Sequence, residues 1–309
     1  MEEITCIFCN IYNETCVIEE NNYKGRQCAQ CSLIYISPRP TVSEVIDLYG
    51  HDQAYVTAQS HITGSLLKRL YAQHNLRIIK KYTKNGDLLE IGSGGGYFLD
   101  EARKEGFRPH GIELNPEQVT FIREQFKLPC QDTPLSSLSF DSQTFDVIYH
   151  SDVICHFHDP LNELKTMHEK LNKDGYLVFE TGNIGDIKKK YFSLFTRFQF
   201  PDHLFFFTEK NIEDILKMSG FKLIAIHNYA ITSQLKFLKL IARFKKNNAK
   251  KQQPNTQTFP FTSNQAPLFS RIVRWSYYKW LYFLRYVVGK HSVFKKNRPQ
   301  TLVVVAQKV

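Results

Sequence analysis

Residues 87–99 read DLLEIGSGGGYFL, and this stretch decides the predicted fold. It opens with an apolar run that contains Glu90 near its end, which is typical of a buried parallel strand. Gly92, Gly94 and Gly96 alternate behind the run, and the apolar residues that follow have helical spacing. Glycines at such a strand-to-helix turn allow a tight bend and leave no Cβ to block a ligand. The stretch therefore predicts a nucleotide-like ligand against the backbone of the turn.

Strand-like and helix-like segments alternate downstream of this turn. RPHGIEL predicts the second strand, and PEQVTFIREQF predicts the second helix, in which Pro116 suits the first turn. Further strands are predicted at PCQDT, FDVIYHSD, GYLVFETG and FKLIAIHNYA, and the last at TLVVVAQKV. Alternation of this kind predicts an α/β domain with a doubly wound, seven-stranded, mostly parallel sheet and helices on both faces. We expect this domain to comprise residues 85–230 plus 299–309.

Two cysteine pairs lie within residues 1–40, Cys6-x2-Cys9 and Cys28-x2-Cys31. Pairs of this spacing suit a tetrahedral zinc site in which each tight turn supplies two thiolates. An iron–sulfur site and an accidental group of thiols are the alternatives. So short a segment has little core, and metal binding would supply its folding free energy. Residues 1–40 are therefore predicted to form a zinc-ribbon-like module with a closed, structural site. Residues 41–84 are predicted to form a helical lead-in.

The N-terminal residues and the cysteine usage bear on the location of the protein. MEEITCIFCN is acidic and polar, which predicts no secretory signal. No run of about 18 apolar residues is present, which argues against a membrane-spanning helix. Seven cysteines without a secretory signal indicate a reducing compartment. We therefore expect a cytoplasmic protein, and the sequence predicts no oligomeric state.

Charge is distributed unevenly along the chain. All 30 acidic residues precede Ile231, whereas the chain from Ile231 to its end carries 16 Lys and Arg and no acidic residue. Residues 231–298 are predicted to form a helical insertion before the last strand, with basic, aromatic-rich amphipathic segments. Such segments suit peripheral contact with the inner membrane surface through residues 234–289. Packing on the domain or on a second subunit is the alternative that we weigh equally, and stacking on RNA is less favoured.

Polar residues follow the predicted strands at the carboxyl edge of the sheet, where open α/β sheets bind ligands. Glu90 ends the first strand beside the glycines. Glu113 ends the second, where its carboxylate can accept hydrogen bonds from both hydroxyls of a ribose. Asp132, after the third strand, can accept a hydrogen bond from an adenine amino group, and Ser151 and Asp152 end the fourth. This series predicts a nucleoside site.

The segments EIGSGGG, GIEL, QDT and FDVIYHSDVICHFHDP resemble, in this order, the cofactor motifs of class I S-adenosylmethionine-dependent methyltransferases. A dinucleotide fingerprint would instead need a third glycine at position 97. The likeness covers residues 85–230 and 300–309, and the leading cysteine pairs are similar to those of bacterial methyltransferases of small-molecule and glycan pathways. It implies S-adenosylmethionine as cofactor and a Rossmann-like methyltransferase fold. The cofactor-binding residues that it implies are Glu90, Gly92, Ser93, Gly94, Gly96, Tyr97, Glu113, Leu114, Asp132, Thr133, Ser151 and Asp152.

Two histidines are the main candidate catalytic residues, and His158 is a further candidate base. His156 and His203 each lie near a predicted carboxyl-end loop, where a base can take a proton from a poorly nucleophilic acceptor. Where many relatives have Glu before the histidine, this chain has Cys155, which we expect to be a small buried filler. In ubiquinone-pathway relatives an acidic–histidine cluster at this point accompanies a divalent cation. In this chain Asp152 and His156 remain as ligands for such a cation. The carboxylate that the relatives have at the position of Cys155 is missing.

Together these features predict an enzyme, an S-adenosylmethionine-dependent methyltransferase that acts on a small or amphipathic acceptor. A sugar, a lipid-like molecule or a quinone-like intermediate would suit. One alternative is a binding or scaffold protein of methyltransferase fold at a membrane surface, and another is an RNA methyltransferase. The intact glycine and ribose positions argue against a scaffold with a dead site.

Overall fold

The structure is a computed structural model, and the residues that it describes are 1–44, 61–63, 65–138, 144–249, 268–291 and 297–309. Residues 45–60 and 64 of the predicted helical lead-in lie outside the described residues. So do residues 250–267 and 292–296 of the predicted insertion.

Strands are numbered in chain order through the described residues. They are β1 (Cys16–Glu20), β2 (Tyr23–Gln27), β3 (Ile34–Ile36), β4 (Gly86–Ile91), β5 (Phe107–Ile112), β6 (Cys130–Gln131), β7 (Phe145–Ser151), β8 (Leu171–Gly182), β9 (Phe205–Phe206), β10 (Phe221–Ala230) and β11 (Gln300–Lys308). The helices are α1 (Ser65–Ile79), α2 (Tyr97–Lys104), α3 (Pro116–Phe121), α4 (Pro160–Lys170), α5 (Glu209–Met218), α6 (Thr232–Ala249), α7 (Leu268–Tyr282) and α8 (Gly289–His291).

Seven of the strands form one sheet, in the spatial order β10-β11-β8-β7-β4-β5-β6. β11 runs antiparallel to both of its neighbours, whereas the pairs formed among β4 to β8 are parallel. The order reverses between β4 and β7, and this is the switch point beside which open sheets bind ligands. The predicted doubly wound, mostly parallel, seven-stranded sheet is confirmed.

Neighbouring residues of the sheet pack on opposite faces, as the period of two of a strand requires. Leu88 packs in a cluster with residues of α1 and α2, whereas Leu89 packs in a cluster with residues of α4 and α5.

Capping side chains determine where two of the helices begin. Asn115 accepts hydrogen bonds from two amides at the start of α3, and Thr208 forms a capping box with Asn211 at the start of α5.

The N-terminal segment forms a second, smaller sheet in the order β1-β2-β3-β9. Its fourth strand comes from a distant part of the chain, because Ile34 pairs with Phe206 and Tyr35 with Phe205. His158 adds a further tie, since its Nε2 lies 2.9 Å from the carbonyl oxygen of Pro40. The boundary that we predict at residue 40 therefore stays a prediction, and the sheet extends across it.

α6 and α7 are the main described elements of the insertion. α7 continues into a π-helical turn over Phe283–Val288, in which Leu284 and Tyr286 are buried, and it packs against α1. The other side of this helix is open to solvent, with Trp275 52 % and Trp280 46 % exposed. Among the described residues, no helix combines the length and apolar composition needed to cross a membrane.

Helical spacing in the sequence predicts that Arg271, Arg274 and Arg285 share one basic face of the insertion, and Arg285 differs from this prediction. Its guanidinium is turned inward and forms an ion pair with Glu180 of β8, whose side chain is 3 % exposed. Nη2 of Arg285 also donates to Thr301 Oγ1 at 2.8 Å. Asn75 Nδ2 and the Tyr286 hydroxyl donate to the other carboxylate oxygen of Glu180, at 2.8 and 3.3 Å. The insertion is thus tied to the centre of the sheet by a buried charge pair.

We expect Arg285→Met to lower the free energy of unfolding by about 3–5 kcal/mol, because it leaves the Glu180 carboxylate buried without its counterion. The double variant Arg285→Met/Glu180→Met should recover most of this loss, since it removes both charges. Urea denaturation of the variants measures the effect. Lys210→Met, which removes an exposed partner of Asp214, is the matched control and should leave stability nearly unchanged. A loss for Arg285→Met no larger than that of the control would contradict the assignment.

Candidate functional site

The glycine turn, residues 92–96, lies between β4 and α2 at the carboxyl edge of the sheet. Gly92, Gly94 and Gly96 have φ values of 70°, 52° and 70°, in the left-handed region that side chains rarely adopt. A Cβ on Gly96 would lie 2.6 Å from Cγ1 of Ile122. A Cβ on Gly94 would lie 3.0 Å from Nδ1 of His61. The turn therefore has room for a ligand or a close neighbour only because it carries no side chains.

Glu90, at the end of β4, is 5 % exposed. Its Oε2 has no hydrogen-bond partner within the part of the chain that the structure describes. Burial, with a smaller contribution from the Glu113 charge, raises the pKa of Glu90 well above its ordinary value, against the opposing charge of Lys68. A buried acceptor without a donor is costly, so this oxygen marks a place where a donor, such as the ammonium group of a methionine moiety, would be stabilised.

Glu113, at the end of β5, reaches back to the glycine turn. Its Oε2 accepts a hydrogen bond from the amide of Gly94 at 2.8 Å, and its Oε1 accepts one from the amide of Asn115 at 3.0 Å. Each carboxylate oxygen can accept about two hydrogen bonds, so both keep capacity for a ribose hydroxyl. The structure therefore brings Glu113 beside the turn in a fixed orientation. Ser93 is buried below it and donates to the backbone carbonyl of Glu90 at 3.2 Å.

The residues predicted around the adenine lie along the outer end of the same edge. Leu114 is 67 % exposed, a large apolar side chain open to solvent directly after Glu113. The Asp132 side chain is 57 % exposed and lies 3.8 Å from Arg123. Thr133 donates weakly to the Ser137 carbonyl at 3.5 Å. An apolar platform beside an accessible carboxylate suits an adenine ring with its amino group.

A segment that the sequence reasoning did not select lies over the glycine turn. The carbonyl oxygen of His61 would be 2.5 Å from a Cβ on Gly95, and the same oxygen accepts a hydrogen bond from Lys68 Nζ at 2.8 Å. The Tyr97 hydroxyl donates to the carbonyl of Ile62. Burial lowers the pKa of Lys68 to about 8, against the opposing charges of Glu113 and Glu90. The segment before α1 thus covers the glycine turn. Lys68 of α1 places a positive charge beside the carboxylates of Glu90 and Glu113.

Ser151 is the last residue of β7, and Asp152 follows it directly. Both are open to solvent at the carboxyl edge of the sheet, and we refer to these two residues as the floor of the site. Asp152 has a φ of 55°, a strained conformation for a residue other than glycine, and its amide donates to the Glu180 carbonyl at 2.8 Å. Although solvent reaches this carboxylate, the protein around it and the Glu180 charge raise its pKa to about 6. A strained residue with a raised carboxyl pKa at a strand end is a feature of functional sites.

The two predicted bases lie together. The rings of His156 and His203 are 4.7 Å apart and nearly perpendicular. Nδ1 of His156 is 3.1 Å from Oδ1 of Asp202. Burial disfavours the charged form of His156, but the Cys155 thiol and the Asp202 carboxylate outweigh this effect and raise its pKa well above the ordinary value. Burial and the charge of His156 lower the pKa of His203 to about 4. Sequence reasoning treated Cys155 as a filler and missed that its thiol lies beside both rings.

The four cysteines of the predicted zinc module converge, and we refer to Cys6, Cys9, Cys28 and Cys31 as the four-cysteine cluster. Their sulfur atoms all lie within 4.8 Å of one another. Burial acts to raise the pKa of the Cys28 thiol, but amide hydrogen bonds from Cys31 and Gln30 lower it to about 7. Cys16 is exposed and lies outside the cluster. Four sulfur ligands at this separation are able to hold a zinc ion.

Comparison with known proteins identifies the larger domain. The model of a methyltransferase domain family matches residues 64–226. A tRNA U34 carboxymethyltransferase from Helicobacter hepaticus is 30% identical over 109 residues, a match that covers 30% of this chain and 34% of the relative. The match thus spans about a third of the length of that curated relative.

Solved structures of low sequence identity share the fold. A phosphoethanolamine N-methyltransferase 2 from Haemonchus contortus, solved with phosphomonomethylethanolamine and S-adenosylhomocysteine, is 19% identical with a TM-score of 0.53, covering 89% of this chain and 62% of that chain. The [4+2]-cyclase SpnF is 14% identical with a TM-score of 0.53, covering 88% of this chain and 98% of that chain. Because these proteins catalyse different reactions, their likeness bears on the fold and not on the acceptor.

We expect binding of S-adenosylmethionine to be linked to proton release from Glu90. Burial raises the pKa of this carboxyl group in the free protein, whereas the ammonium group of the ligand favours its ionised form, so affinity should rise with pH. At pH 6 Lys68 stays protonated and does not contribute. Calorimetry in two buffers of different ionisation enthalpy counts the proton.

Glu90→Gln should abolish this proton release and weaken binding by about 10- to 100-fold, the effect of losing a charge-assisted hydrogen bond. Glu105→Gln, at an exposed carboxylate beyond α2, is the matched control and should behave as the parent protein. Proton release that persists in Glu90→Gln would assign the linked proton to another group.

Proposed function

The chain belongs to the methyltransferase domain family, and from that premise we propose that it transfers the methyl group of S-adenosylmethionine to a small or amphipathic acceptor. A sugar, a lipid-like molecule or a quinone-like intermediate would suit the site. The observation that carries the proposal is the glycine turn together with the buried Oε2 of Glu90, which has no hydrogen-bond partner among the described residues. This arrangement offers space and an acceptor where a methionine ammonium group would lie.

The remaining predicted residues would complete the donor site along the sheet edge. Glu113 would accept hydrogen bonds from the ribose, Asp132 would accept one from the adenine amino group, and Leu114 would pack against the ring. Tyr97 would close the methionine end together with Lys68. S-adenosylmethionine supplies an electrophilic methyl group on a sulfonium. The protein's part is to orient the two molecules and exclude water from between them.

The acceptor would approach from the floor of the site, where β7 and β8 end. Ser151 and Asp152 lie at this floor, and His156 and His203 lie beyond them in the next loops. Without a metal ion bound to them, one of these two histidines would accept the proton that the acceptor loses on methylation. The inward-facing Arg285 and Glu180 place residues of the insertion next to the same floor, so the insertion would help to shape the acceptor site.

The surface of the insertion favours an amphipathic acceptor. α6 and α7 expose apolar side chains, and the chain has no acidic residue beyond position 230. Aromatic rings and aliphatic groups beside Lys and Arg suit the interface of an anionic membrane, where rings lie at headgroup level. We propose peripheral contact at the cytoplasmic face. The exposed apolar residues are Leu238, Leu240, Ile272, Val273, Trp275, Trp280, Phe283 and Val287.

RNA is the second candidate acceptor, because the curated relative is named as a tRNA-modifying enzyme and the same C-terminal region is strongly basic. Contact with RNA would be mainly electrostatic, and it would weaken steeply as salt concentration rises. The exposed apolar side chains count against it, since an RNA surface offers them little beyond stacking on the tryptophans.

We propose that the four-cysteine cluster holds a structural zinc ion. Its four thiol groups would fill all coordination positions, so the ion would serve folding and not the reaction. The strands of the surrounding segment are short, and a metal ion would add to the stability of the turns that carry the cysteines.

Calorimetry with S-adenosylmethionine tests the donor site. Gly94→Arg should abolish measurable binding, because the new side chain would occupy the turn next to His61. Gly106→Arg is the matched control. Gly106 also has a positive φ, of 94°, but no atom of the described residues lies within 4 Å of a Cβ there, so this variant carries similar backbone strain away from the site. No binding by the parent protein, or equal binding by both variants, would overturn the proposed function.

Flotation with vesicles tests the membrane contact. The parent protein should float with vesicles that contain anionic lipid, and the double variant Trp275→Ser/Trp280→Ser should float at least about 10-fold less, because interfacial burial of the two rings is lost. Met218→Ser removes an apolar residue that is 48 % exposed on α5 and is the matched control. A protein that stays in solution yet retains nucleic acid until salt is added would favour the RNA acceptor instead.

A further inference from the structure

We propose that Cys155, His156 and His203, which we call the Cys-His-His cluster, form a second metal site that binds zinc with one coordination position open. Their ligand atoms all lie within 4.8 Å of one another, as do the sulfur atoms of the four-cysteine cluster. The existence of the site does not depend on the proposed function. Its role in activating the acceptor does rest on that function.

Two segments that are remote in sequence bring the ligands together. Cys155 and His156 lie in the single helical turn after β7, and His203 lies shortly before β9. The amide of Leu204 donates to the carbonyl of Cys155 at 2.8 Å, so a backbone hydrogen bond joins the segments beside the cluster. A tetrahedral zinc ion with bonds of about 2.0–2.3 Å holds its ligand atoms about 3.5 Å apart. Small side-chain rotations would therefore close the site.

Asp202 orients one of the ligands. Nδ1 of His156 lies 3.1 Å from the Asp202 carboxylate oxygen and 3.0 Å from its carbonyl oxygen. These contacts leave Nε2 of His156 as the nitrogen available to an ion. Histidine ligands of zinc commonly make such a contact with a carboxylate or carbonyl group through the other ring nitrogen, which fixes the tautomer and the ring orientation. The contact supports a metal ligand independently of the distances within the cluster.

The donor set selects the metal and its role. One sulfur and two imidazole nitrogens suit zinc better than magnesium or calcium, which prefer oxygen ligands. Within the described residues the cluster has three members, whereas the four-cysteine cluster has four. Three protein ligands leave a position for a water or a substrate oxygen, which is the arrangement of catalytic rather than structural zinc.

The cluster is joined to the donor turn through Asp202 and His61, and to the end of β7 through Cys155. His61 packs against Gly94 of the glycine turn, and it is also close enough to Asp202 to feel its charge. Cys155 Sγ lies 3.3 Å from the carbonyl oxygen of Asp152 at the end of β7. An oxygen bound at the open position would therefore lie between the donor turn and the floor.

This position suits an acceptor that is methylated on a hydroxyl oxygen. Bound to the zinc, the hydroxyl loses its proton more easily, and the proton passes to solvent. The oxygen lone pair then forms the new carbon–oxygen bond, while the bond from the methyl carbon to sulfur breaks and its electron pair returns to sulfur. The products are a methyl ether and neutral S-adenosylhomocysteine.

Metal analysis of the full chain, saturated with zinc and then freed of excess, tests the site. We expect about two equivalents of zinc per chain, and about one in Cys155→Ser and in His203→Gln. Cys130→Ala, at a buried cysteine outside both clusters, is the matched control and should keep two. Cobalt(II) in place of zinc should give two distinct absorption spectra, one from four sulfur ligands and one from a mixed nitrogen–sulfur site.

A parent protein that holds a single equivalent, or whose cobalt spectrum shows only the four-sulfur site, would overturn the proposal without reference to any variant. Two equivalents that persist in both Cys155→Ser and His203→Gln would also overturn it. Binding of S-adenosylmethionine, measured on the same preparations, reports on the proposed function separately. A protein with two zinc ions and no affinity for the donor would keep the metal site and lose the methyltransferase assignment.

Discussion

The donor site depends on one constraint, the close approach of three pieces of backbone at the glycine turn. The end of the central strand, the start of α2 and the covering segment at His61 meet where a single methyl group would collide with a carbonyl oxygen or with Ile122. No other residue type allows that spacing, because the φ values are unfavourable for side chains as well. The turn therefore fixes the distance between Glu90, Glu113 and Lys68, and with it the size of the site.

Much of the fold could be predicted from the sequence because the information is local. The apolar runs, the glycine turn and caps such as Thr208 each lie within a few residues of the element that they define, and all of them agree with a doubly wound sheet. The donor-side acidic residues could be selected because they follow strands whose carboxyl ends meet at one edge. The same rule would have selected Glu180 at the end of β8, had it been applied to the fifth strand.

What the sequence did not reveal depends on pairings between distant residues. Amphipathic periodicity assigns every arginine of a helix to its polar face, so it placed Arg285 outside, although Glu180 and two tyrosines provide a polar environment within the domain. Cys155 was predicted to be a filler because its partner, His203, follows β8 and is remote from it along the chain. His61 and Lys68 carried no motif at all, and only the fold of the lead-in segment places them over the glycine turn.

The pairing of β3 with β9 has a consequence for synthesis of the protein. Ile34 pairs with Phe206, so more than half of the chain separates the partners. As the chain leaves the ribosome, the edge of β3 has no partner until most of the larger domain has emerged. A metal ion held by the four-cysteine cluster would keep the N-terminal module ordered during this interval. In that case the module would be a preformed template for the strand beside His203, and the pairing of β3 with β9 would join the metal-bound module to the acceptor side of the enzyme.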